Sequence, residues 1–65
     1  MVSDVDAVMA VIRGAARCTL CIARETGVAP FGVLSALARI GRGVTIIDAV
    51  LRCDGCLQVT GTHRV

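Results

Sequence analysis

Apolar residues recur at helical spacing from the start of the chain: Val5, Val8, Met9, Ile12, Ala15 and Ala16 fall on one face. Ser3 stands just ahead of them as an N-cap, with Asp6 three residues on as a short capping-box partner. The spacing predicts a core-facing amphipathic helix from Asp4 to Ala15. Thr19 can cap a second helix, Leu20 to Thr26, which Gly27 closes. Pro30, a residue favoured at the first helical position, opens a third that runs through "FGVLSALARI" and stops at Gly41. Val33, Ala36, Leu37 and Ile40 form its inward stripe, and Gly32 interrupts it at a cost in propensity. After "GRG" the period changes. "VTIIDAVL", Val44 to Leu51, is rich in β-branched residues and reads as a strand. "LQVTGTHRV" reads as the returning strand, with "CDGC" as the turn. The expected class is α+β, three helices followed by a β-hairpin. With no repeat, linker or low-complexity segment, residues 1–65 read as a single domain.

Composition changes this picture in one respect: the fold needs a staple. A chain of 65 residues gains only about 3–5 kcal/mol from a single core. There is no Trp or Tyr, and Phe31 is the only aromatic residue, so large side chains do not make up the difference. The sequence is 55% hydrophobic, which excludes a disordered chain and leaves apolar surface to meet a partner. Asp4 and Asp6 stand where a signal peptide carries positive charge, and Arg13 breaks the apolar run. No stretch reaches the roughly 20 apolar residues of a membrane span. The expectation is a soluble cytoplasmic protein without a membrane partner, in a compartment where paired cysteines point to metal more than to disulfides.

The cysteines supply the staple. Cys18 and Cys21 form one C-x-x-C pair, and Cys53 and Cys56 form the other. Two intervening residues let both sulfurs of a pair converge on one tetrahedral ion. The expected cofactor is one structural Zn²⁺ held by Cys18, Cys21, Cys53 and Cys56, tying the start of the second helix to the hairpin turn. Cys21 falls in the first helical turn, where the helix dipole favours a thiolate. Apparent zinc-binding energies of about 10–16 kcal/mol in small fingers far exceed the shortfall of such a core. Disulfide or redox chemistry and an iron–sulfur cluster are the alternatives the same residues admit. Asp54-Gly55 is also a hairpin-turn signal in its own right, and a zinc knuckle is itself a turn. His63, the only other candidate ligand, reads as an exposed strand residue. Four protein ligands close the coordination sphere, and no Ser/His/Asp or Cys/His pairing stands out. Neither an enzyme nor a small-molecule substrate is expected.

"IARETGVAPFGVLSALARIG" resembles the helix-turn-helix of lactose-repressor-like and other bacterial regulators. Ala23 stands where that pattern packs two helices closely, and Gly27 where it turns. Val28, Ala29 and Val33 follow, with Leu37 in the later core position. Ala29 departs from the pattern, which has a small polar residue there. The layout beyond Arg17 is also similar to a group of small bacterial winged-helix proteins, which have "C-x-x-C-I-A" at the second helix and "C-x-x-C" on the wing. "CTLCIARETGV" and "RCDGCLQVTGTHRV" carry that likeness. It implies a zinc-stapled winged helix, DNA binding and a role as a small transcriptional regulator. The implied contact residues on the third helix are Pro30, Phe31, Leu34, Ser35, Arg39 and Arg42.

That helix is poor in base-reading side chains: of the expected contacts only Ser35 is of a usual type, with Arg39 and Arg42 placed to meet phosphates. All seven basic residues are Arg, and the formal net charge is +2. One Zn²⁺ on four thiolates brings this near zero, so no strong general pull on nucleic acid follows. The expected partner is therefore DNA or, alternatively, a protein or second copy docking on the apolar face of the helix at 30–40.

Overall fold

The computed structural model describes residues 3–65. The elements run α1 (Asp4–Ile12), β1 (Arg17–Cys18), α2 (Thr19–Thr26), α3 (Pro30–Gly43), β2 (Ile47–Arg52) and β3 (Val59–Arg64). The three strands form one antiparallel sheet in the order β1-β3-β2. This is a small α+β domain, as the hydrophobic pattern predicts. No single helix among the described residues is long and apolar enough to cross a membrane.

The helices pack on one another before they meet the sheet. Val8 and Ile12 from α1, Ile22 from α2, and Val33, Ala36, Leu37 and Ile40 from α3 make the core. The inward stripe expected of α3 is the buried one. From the sheet side, only Ile46 and Val65 pack against this cluster, both partly buried. Ser3 caps α1 as expected, its Oγ accepting from the Asp6 N–H at 3.2 Å.

Several boundaries differ from the sequence expectation, each for a local reason. α1 ends at Ile12, because Gly14 takes φ +80 and turns the chain outward. Ala15 and Ala16 therefore lie beyond it and lead into β1. Thr19 does not cap α2: Cys18 occupies the cap position, and its side chain makes no capping bond. α3 continues past Gly41 to Gly43, and Val44 serves as its C-cap, donating to the Ile40 carbonyl at 2.9 Å. β2 consequently starts at Ile47 and not at Val44.

Two glycines between and within the helices have definite tasks. Gly27 ends α2 at φ +74. A Cβ on Gly32 would lie 2.7 Å from Val28 Cγ1, so this glycine in the first turn of α3 allows the preceding segment to sit close against the helix. Together they let the chain change direction by 103° between α2 and α3.

Ile22, fully buried between the helices, tests this account. Ile22→Ala should cost about 2–5 kcal/mol, comparable to the whole apolar stabilisation of so small a core. Phe31→Ala, at a residue 85% exposed, should change stability by less than about 0.5 kcal/mol. Chemical denaturation of the two variants beside the parent protein measures both.

Candidate metal centre

Cys18 has extended backbone at the α2 cap, and Cys21 sits in the first turn of that helix. Cys53 and Cys56 bracket the turn between β2 and β3. The four Sγ atoms lie within 4.8 Å of one another, close enough for all of them to reach a single ion. Tetrahedral thiolate coordination with metal–sulfur bonds of about 2.3 Å spaces sulfurs by about 3.8 Å, so the cluster needs only a small inward adjustment. Cys18, Cys21 and Cys53 are buried, while Cys56 is exposed and forms the solvent edge of the site. All four are free thiols in this structure.

The turn builds a sulfur-directed nest. The amides of Cys18 and Gly55 each point at Cys53 Sγ, at 3.3 Å. Burial opposes ionisation of Cys53, but the amides of Cys56, Cys18 and Gly55 outweigh it and bring the thiol down to about 6. The amides around it thus favour the thiolate form of Cys53. Cys21 goes the other way: burial, reinforced by the thiols of Cys18, Cys53 and Cys56 around it, pushes it up to about 12. A neutral thiol is the best state for Cys21 when only other sulfurs face it. A bound cation reverses that preference by neutralising the clustered thiolates.

Gly55 has a different task from the one its place in an Asp-Gly pair suggests. Its φ is not positive; the left-handed residue of this turn is Leu57, at φ 65. A Cβ on Gly55 would stand 2.9 Å from Cys21 Sγ. The glycine thus makes room for the sulfur of the opposite pair. Asp54, its neighbour, forms a clamp that sequence reasoning missed. Its N–H donates to the Ala16 carbonyl at 2.8 Å, and its Oδ2 accepts from the Ala16 N–H at 3.1 Å. That clamp fastens the hairpin tip to the segment entering β1. No periodicity marks a contact between residues so far apart in the chain.

His63 differs from expectation in its surroundings. It is not an exposed strand residue: its side chain retains only 18% of its accessible area. Nδ1 lies 2.6 Å from Asp48 Oδ1, and Nε2 lies 3.0 Å from Thr19 Oγ1. A carboxylate can only accept, so Nδ1 carries a proton, and in the neutral ring Nε2 accepts from the Thr19 hydroxyl. The line Asp48–His63–Thr19 thus ties β2, β3 and α2 together beside the cysteines. On the other flank, Arg17 pairs with Glu25.

The expected contact residues lie elsewhere, along α3. Pro30, Phe31, Leu34, Ser35, Arg39 and Arg42 are all exposed. Phe31 and Leu34 are large apolar side chains on that surface. No known protein family matches the chain, and no curated protein or solved structure is significantly similar to it.

Cys53→Ser should abolish stoichiometric metal retention and destabilise the fold. Gly55→Ala should weaken metal binding with all four ligands present, by crowding Cys21. His63→Ala should keep the metal and lose about 1–2 kcal/mol, the cost of breaking its hydrogen-bonded line. Metal content by elemental analysis and stability by denaturation separate the three outcomes.

Proposed function

We propose that the protein is a zinc-stapled winged helix that binds DNA through α3 and acts as a small transcriptional regulator. The observation that carries this reading is the 103° turn between α2 and α3, within the range of about 90–120° for helix-turn-helix pairs. The short connection Gly27-Val28-Ala29 makes that turn, and the outer face of α3 is left open. The β2–β3 hairpin follows α3, as a wing would. Ser35 is the base-edge candidate of this face, and Arg39 and Arg42 are its phosphate contacts. Zinc fits the metal centre best: the site offers four thiolate ligands, the donor set of closed structural zinc sites. Its role is to hold the hairpin against the start of α2.

A second reading has its own support. Phe31 is 85% exposed and Leu34 50% exposed. These are apolar groups in the middle of the face that would meet bases. On this reading α3 docks on a protein, with the same fold and the same zinc.

A salt series on nonspecific duplex DNA distinguishes the two. DNA binding by the metal-loaded protein should weaken steeply with salt. Arg39→Ala and Arg42→Ala should each reduce the salt slope by about one. No affinity at low salt, together with loss of partner binding in Phe31→Asp at full metal content, would decide for the protein-docking reading.

A further inference from the structure

Among the described residues, β2 is the outer strand of the sheet and bonds to β3 on one side only. The Cys53 N–H donates to the Gln58 carbonyl at 2.9 Å, which fixes the hydrogen-bonding phase of the hairpin. In an antiparallel pair, bonded and non-bonded residue pairs alternate. Leu51–Thr60, Ala49–Thr62 and Ile47–Arg64 are therefore the bonded pairs of the observed register. The backbone N–H and C=O groups of Asp48, Val50 and Arg52 face the other way, off the free edge. This edge has neither Pro nor Lys to block pairing. Ile47 and Val50 stand on it 55% and 73% exposed.

The only charges on the strand are Asp48 and Arg52, opposite in sign and two residues to either side of Val50. We propose that β2 pairs antiparallel with β2 of a second copy, about a two-fold axis at Val50, joining two sheets into one. In that register all three outward-facing residues bond: Val50 opposes Val50, and Asp48 of each copy opposes Arg52 of the other. Both cross-strand charge pairs are then attractive. Axes at Asp48 or Arg52 oppose like charges. Axes at Ala49 or Leu51 leave one of the three facing a residue outside the strand. Asp48 is available for the pair, because His63 Nδ1 holds only its Oδ1 and the side chain is 69% exposed. Such a symmetric, self-complementary patch is what a two-fold dimer requires. The pairing uses the strand edge and not α3, so it stands apart from the DNA reading.

The test is sedimentation equilibrium of the metal-loaded protein from about 10 μM to about 1 mM. The parent protein should show a concentration-dependent dimer. Arg52→Asp and Asp48→Arg should each raise the dissociation constant roughly tenfold or more, since two attractive pairs become repulsive. An equimolar mixture of these two variants should dimerise again, because every opposed pair in the mixed dimer is of opposite sign. Val50→Pro removes the central outward N–H without taking a bond from β3, and it should give a monomer. Metal content and circular dichroism report folding, and if Val50→Pro does not fold, the charge variants decide alone. A parent protein that is monomeric throughout overturns the proposal. So does a dimer indifferent to the charge variants, and so does a mixture that stays monomeric.

Discussion

The four clustered sulfurs join two halves that otherwise share little apolar surface. One half is the helical core of Val8, Ile12, Ile22, Val33, Ala36, Leu37 and Ile40. The other is the β2–β3 hairpin, which sends only Ile46 and Val65 toward that core. Between them lies the buried group of Cys18, Cys21 and Cys53. Hydrogen bonds supplement the junction: the Asp54–Ala16 clamp, the Thr19–His63 contact and the bond from the Val65 N–H to the Ile12 carbonyl at 3.2 Å. Each such bond contributes about 1 kcal/mol net. A metal held by both cysteine pairs supplies several times more. The helices have a core of their own, so the hairpin depends on the sulfurs more than they do.

What the sequence discloses follows from which constraints are local. The inward stripe of α3, the Ser3 cap, the Gly27 turn and the paired cysteine spacing each depend on neighbours within a helical turn or two, and all are legible in the residues. β1 was not, because two residues paired with a distant strand leave no period to detect. Ala23 and Val33 pack at the helical core and Gly27 makes the turn after α2, but their spacing says nothing of where α3 ends. Gly41 reads as a stop only if local propensity decides. Here the helix runs on to Gly43 and is closed by the bond from the Val44 N–H to the Ile40 carbonyl.

The candidate site shows the same division. Which cysteines would converge could be read from spacing. The chemistry of Cys53 and Cys21 could not, because it is set by burial and by groups from elements remote in the chain. Cys53 is lowered by amides reaching it from Cys18 as well as from its own turn, while Cys21 is raised among the other three thiols. Gly55 is the clearest case. Sequence logic assigns an Asp-Gly glycine to a left-handed backbone, but here its missing side chain makes room for Cys21. His63 likewise reads as surface by type and position, and it becomes half-buried only because β3 aligns it with Asp48 on one side and Thr19 on the other.

The metal centre and the edge of β2 are consecutive in the chain, and this links the two proposals physically. Arg52 is followed directly by Cys53. The Cys53–Gln58 bond that sets the phase of the hairpin is made by a candidate ligand residue. Fixing Cys53 in the cluster therefore fixes which backbone groups of Asp48, Val50 and Arg52 point off the edge. A one-residue slip would turn those groups inward and carry Asp48 away from His63. Coordination at the tip thus specifies the surface along the strand as well as its attachment. An ion bound by the four cysteines would thus bear both on how the hairpin is held and on whether two copies can meet in register.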